Sequence, residues 1–168
     1  MSTYRRRTRI RAPLAEVWDF HSTIDGLEAL TPGWMGLSVE SVRRPSGHDD
    51  TDELVEGTEI TMGSKPFGLA PETRWISRIT DRRESEGYCM FRDDMLGGPF
   101  GLWIHTHEMY GDSGETVLID TVEYELPSPA DRLNPLAVVG FGPMFRYRHR
   151  KTKELLEDAD APANINPI

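Results

Sequence analysis

Cysteine is nearly absent from this chain. Cys89 stands alone among 168 residues, which excludes an intramolecular disulfide and a cysteine-built zinc site. Long apolar runs are missing too. No stretch approaches the ~18 residues of a membrane span, and the start from Ser2 to Arg7 leads into no apolar signal core. The expectation is a soluble, cytoplasmic protein without a membrane span. Positive charge is in deficit, with 19 Lys and Arg against 28 Asp and Glu and a net charge of −9. The whole-molecule field then opposes nucleic acid and anionic membranes, so no nucleic-acid partner is expected. Internal repeats and low-complexity stretches are lacking, and the length suits one domain with a real core rather than two.

What is present concentrates between Gly97 and Tyr124. Strict alternation places residues two apart on one face of a strand. Trp103, His105, His107 and Met109 therefore share a side, as do Leu118, Asp120, Val122 and Tyr124 on the next strand. If these are inner faces, two imidazoles, a carboxylate and a phenol look into the interior. An unsatisfied buried polar group costs roughly 1–3 kcal/mol. Such groups pair with one another or line a cavity.

Along the chain, a first strand alternates Arg5, Arg7, Arg9 and Arg11 with Tyr4, Thr8 and Ile10. The arginine stripe reads as a guarded sheet edge or solvated face. Ala12-Pro13 opens a short helix carrying Leu14, Val17 and Trp18, and Thr23 caps a second that ends at Leu30. Six strand-like segments follow: Met35–Val42, Thr58–Met62, Thr73–Thr80, Tyr88–Met95, Phe100–Tyr110 and Thr116–Leu126. They leave no room for crossover helices, so the sheet is an antiparallel meander. Turn signals fall at Arg44–Asp50, at Asp81-Arg82 before Glu86-Gly87, and at Gly111–Gly114. A carboxy-terminal helix is expected from Pro143, with Met144, Phe145 and Leu156 on an apolar face. Its Arg146, Arg148, Arg150, Lys151 and Lys153 read as a solvated basic face. Leu133–Gly142 is either a mobile lid or the packed start of that helix. Ser64–Pro71 is either an apolar gate or an ordinary turn.

Several segments together resemble a known group: Val17-Trp18-Asp19-Phe20-His21-Ser22, Leu30-Thr31-Pro32, Trp75-Ile76-Ser77-Arg78-Ile79, Phe91-Arg92-Asp93, Gly98-Pro99-Phe100, Trp103-Ile104-His105-Thr106-His107 and Asp120–Pro127. Across nearly the whole chain the sequence is similar to the START and polyketide-cyclase-like (SRPBCC) superfamily, in its ligand-binding helix-grip subgroup. The resemblance implies an α+β helix-grip fold. A curved seven-stranded antiparallel sheet wraps around a long carboxy-terminal helix, with two short helices between the first and second strands. Residues 1–157 would form one such domain and 158–168 a flexible tail. By the same likeness Trp75, Ser77, Ile79, Cys89, Phe91, Asp93 and Met95 face inward with Trp103, His105 and His107. Arg74, Arg78, Arg92, Thr106 and Glu108 face solvent. The superfamily includes carriers, receptors, aromatase-cyclases and oxygenase domains. The last are disfavoured, because the iron–sulfur domain that accompanies them is absent here.

The expected ligand-binding set is Trp75, Phe91, Asp93, Trp103, His105, His107, Met109, Asp120, Tyr124 and Phe145, around a hydrophobic or amphipathic, lipid- or polyketide-like molecule. Three chemistries suit the polar members. His-x-His with a carboxylate across the ladder has metal-ligand types, but the spacing is unspecific, and neither metal nor cofactor is expected. His105, His107 and Asp120 are also the candidate catalytic groups for cyclase or dehydratase acid–base chemistry. The favoured reading is a hydrogen-bonded network, His105 or His107 to Asp120 and Tyr124 to Asp93, that orients a ligand without reacting. Binding is preferred over catalysis because no nucleophile accompanies the histidines. Cys89 reads as an inert core thiol, and Gly97-Gly98-Pro99 as a tight connection rather than a phosphate loop. A third class is a stress-related or interaction protein with no true ligand. The assembly is expected to be a monomer or homodimer.

Overall fold

The computed structural model describes residues 1–48 and 51–157. The expected tail therefore lies outside the described residues. Seven strands, β1 (Ser2–Ile10), β2 (Leu37–Arg43), β3 (Glu59–Ser64), β4 (Thr73–Ser85), β5 (Tyr88–Gly97), β6 (Leu102–Asp112) and β7 (Glu115–Glu125), form one sheet in the order β1-β7-β6-β5-β4-β3-β2. Each neighbouring pair is antiparallel. Helices α1 (Leu14–His21) and α2 (Ile24–Ala29) connect β1 to β2, and α3 (Asn134–Glu157) follows β7 and packs against the sheet. This is the helix-grip fold. β1 is an edge strand, with Arg5, Arg7 and Arg9 exposed along it as charged edge guards.

Local chemistry sets the two short helices. Thr23 Oγ1 accepts from the Gly26 amide at 3.0 Å and caps α2. A Cβ on Gly26 would lie 1.8 Å from the Phe20 carbonyl oxygen, so only glycine lets α2 fold so close against the end of α1. Val17, Trp18 and His21 form the buried side of α1.

Most strand ends lie within two residues of the sequence expectation, and two boundaries differ by more. β4 runs to Ser85 instead of ending at Thr80, because the register shifts between Ile79 and Asp81. The extra residue moves the inward parity from Trp75, Ser77 and Ile79 to Arg82, which lies opposite Phe91. Alternation breaks there, and Asp81-Arg82 imitates a turn. Arg82 instead stacks its guanidinium 4.7 Å from the Trp18 ring centroid and donates to the Leu54 carbonyl at 2.9 Å. The second difference is the start of α3 at Asn134, nine residues before the expected Pro143, which stands inside the helix. Asn134 Oδ1 accepts from the Leu126 amide at 2.7 Å and its carbonyl accepts from Tyr124 Oη at 3.0 Å. Leu133–Gly142 is thus the turn into α3 and its first part, not a separate lid.

The interior has two apolar clusters. Ile10, Trp18, Ile60, Phe91, Met109, Leu118 and Leu156 belong to one. Trp103, Val122, Tyr124, Phe141 and Phe145 form the other. A polar belt separates them at matching levels of three elements. On β6, His105 and His107 lie between Trp103 and Met109. On β7, Asp120 lies between Val122 and Leu118. On α3, Arg148, His149 and Thr152 lie between Phe145 and Leu156, and all six of these polar groups are buried.

Candidate binding site

Asp120 is the centre of the belt and is 1 % exposed. Opposite it in the β6–β7 ladder stands His107. A carboxylate only accepts. His105 Nε2 donates to Asp120 Oδ1 at 3.2 Å, and His149 Nε2 donates to Oδ2 at 2.8 Å. His107 Nδ1 approaches Oδ1 to 2.6 Å, but its direction is not that of a hydrogen bond, so this is a close polar contact. His149 is held on its other side by Thr8, Nδ1 to Oγ1 2.7 Å. Burial acts to raise the Asp120 carboxyl, and the surrounding histidines outweigh it, holding the group well below the usual carboxylate range.

Asp93 occupies the next position outward. It pairs with His105 across β5–β6, accepts from Ser77 Oγ at 3.2 Å, and has Oδ1 3.6 Å from His105 Nδ1. Burial pushes its carboxyl up, against the pull of His105 and Ser77. The expected bond from Tyr124 to Asp93 is not formed, because the phenol reaches the start of α3 instead. His107 stacks on its cross-strand partner Phe91, with ring centroids 4.2 Å apart. Burial holds its imidazole well below the ordinary histidine range.

A cavity of about 270 Å³ opens between the sheet and α3. Its apolar wall includes Trp75, Phe91, Phe100, Trp103, Phe141 and Met144, and its polar wall Asp93, His105, His107, His21, Ser77 and Arg148. Six of the expected residues reach its surface: Trp75, Phe91, Asp93, Trp103, His105 and His107. Four do not. Met109 and Phe145 are fully buried packing, Asp120 is screened by the histidines that bond to it, and Tyr124 is held in the layer beneath. Around the opening, Pro66 contributes to the lining while Phe67 stacks on Trp34 at 5.5 Å and is largely exposed, as is Leu69. Gly98, at φ +81°, brings the β5–β6 connection down on Trp75 and Met95; a Cβ there would meet Met95 Sδ at 2.8 Å.

Sequence reasoning misses the helical contribution. Arg148, expected on a solvated face, is 8 % exposed and lines the cavity. His21 and His149 are absent from the expected set. Four of the five histidines are in fact buried, at 21, 105, 107 and 149. The available signal is helical spacing from Phe141 through Phe145, His149 and Thr152 to Leu156, which carries Arg148 on the same face. His21 Nε2 donates to Thr152 Oγ1 at 3.1 Å, since that hydroxyl donates to the Arg148 carbonyl at 3.0 Å. Burial first, and the Arg148 charge second, lower the His21 pKa to about 3.

Among the described residues, Asp93, His105 and His107 are also a group that could hold a metal ion, with ligand atoms all within 4.8 Å of one another. The Arg148 cation lines the same cavity and opposes a second positive charge there.

No protein-family model matches the chain, and no curated protein matches it. Solved structures do. A protein of Thermus thermophilus superimposes with a TM-score of 0.62 at 18 % identity, over 95 % of this chain and 100 % of that one. A protein of Arthrobacter aurescens gives 0.66 at 13 % identity, over 99 % and 93 %. Norcoclaurine synthase of Thalictrum flavum, in complex with dopamine and hydroxybenzaldehyde, gives 0.62 at 16 % identity, over 95 % and 88 %. At these identities the likeness establishes a shared fold.

Proposed function

We propose that this helix-grip domain binds a hydrophobic or amphipathic small molecule between its sheet and α3. One observation carries the reading: Asp120 is satisfied from within the protein by His105 and His149, while beside it an aromatic-walled cavity of about 270 Å³ remains between sheet and helix. Burial of apolar ligand surface there would contribute roughly 25 cal/mol per Å² before the costs of association. Norcoclaurine synthase, complexed with two small aromatic compounds, supports small-molecule use of this fold.

A cyclase or dehydratase role for His105, His107 and Asp120 is the weaker reading. A general base is most effective with a pKa near the working pH. Burial holds His107 well below that, and Asp120 is enclosed by three imidazoles away from the cavity surface.

Titration with a neutral fluorescent probe, 2-naphthylmethanol, tests the binding reading. The wild type is expected to bind it saturably. Trp103→Gln and Phe91→Gln, checked for folding by circular dichroism, are expected to weaken it about tenfold through lost apolar contact. Binding unchanged in both folded variants would place the probe elsewhere, and no binding to wild type would refute the reading.

A further inference from the structure

Arg148 differs from every other polar group of the belt. It is more than nine-tenths buried and lines the cavity, yet its guanidinium makes no salt bridge or hydrogen bond with any described residue, and its Nε is enclosed without a partner. The two nearby carboxylates are engaged elsewhere. Asp120 takes donors from His105 and His149 and the close contact of His107, while Asp93 is held by Ser77 and faces His105. A guanidinium in a low-dielectric wall costs free energy until its planar fork meets an acceptor. The matching acceptor is another planar group with two oxygens carrying one negative charge.

We propose that Arg148 is the head-group receptor of the cavity and that the ligand is an amphipathic monocarboxylic acid, its carboxylate on the guanidinium and its apolar body against Trp75, Phe100 and Trp103. This rests on the binding reading above and specifies its ligand class. The lining favours a monoanion over a phosphate: Arg148 is the single Lys or Arg among the described lining residues, and the Asp93 carboxyl in the same wall opposes a second negative charge.

The test compares probes of one shape: 2-naphthoate, 2-naphthylmethanol and 2-naphthyl phosphate, titrated at neutral pH into wild type, Arg148→Gln and Arg148→Lys. In wild type the carboxylate is expected to bind at least about tenfold more tightly than the alcohol, as a charge-assisted bidentate contact allows. Arg148→Gln should remove most of that preference, weakening the acid far more than the alcohol, and Arg148→Lys should restore only part of it. Removing a cation that the protein does not pair leaves no stranded partner, so the variant is expected to fold; alcohol binding reports that directly. Equal binding of acid and alcohol by wild type, tighter binding of the phosphate, or a preference that survives Arg148→Gln in full would each overturn the proposal while leaving the cavity reading intact. Failure of all three probes to bind wild type would instead remove the cavity reading, and this one with it.

Discussion

Single residues in the belt have consequences that can be measured one at a time. Asp120 accepts from His105 on β6 and His149 on α3, with His107 in close polar contact, so Asp120→Asn turns one accepting atom into a donor facing an imidazole N–H. Stability in urea should fall by about 1–3 kcal/mol, and an unchanged midpoint would mean that the network contributes nothing. His21 sets a pH dependence. Folded, it stays neutral down to about pH 3, whereas the unfolded side chain titrates at the ordinary 6.5. Below 6.5 the unfolded chain binds the extra proton, so this contribution is complete above 6.5 and is lost as pH falls. The slope is about 1.4 kcal/mol per pH unit for one such histidine. Urea midpoints measured from pH 7.5 to 4.5 should fall more gently for His21→Gln than for wild type; parallel curves would contradict the assignment. His105, His107 and Asp120 are legible from alternation alone, because a period of two survives in β6 and β7. Arg148 and His149 are not, since a cation and an imidazole among Arg146, Arg150 and Lys151 read as solvated surface until the helix direction is known.

Elements show where pattern reading holds and where it fails. The meander from β2 to β7 follows from sequential connections, whereas the pairing of β1 with β7 does not. The β4 bulge hides the last five residues of that strand, because one extra residue reverses which parity faces inward. Pro143 hides the first turns of α3, since proline is an ordinary signal for a helix start. The α1–α2 corner offers a direct check on close packing. Gly26→Ala would drive a Cβ into the Phe20 carbonyl, whereas Gly33→Ala meets nothing within 4 Å. Thermal unfolding should show a loss of about 2 kcal/mol or more for the first and little change for the second. Similar melting temperatures would show that α2 is free to shift away from α1.

For the whole molecule, two apolar clusters joined by a polar belt leave an aromatic-walled space with one cation in its lining. Under the proposed binding role, that arrangement separates the work of holding sheet to helix, done by Asp120 and its histidines, from the work of receiving a guest. In that role the negative net charge and the apolar cavity would act at different scales: the first on long-range approach, the second on the fit of a guest. A guest is expected to occupy the space between sheet and α3. Intermolecular nuclear Overhauser effects between bound 2-naphthylmethanol and assigned aromatic protons read that occupancy out. Contacts are expected at once to Trp75, Trp103 and Phe91 on the sheet and to Phe141 on the helix. Contacts confined to the region around Tyr88 and Tyr110, or none to α3, would show that the guest is bound elsewhere.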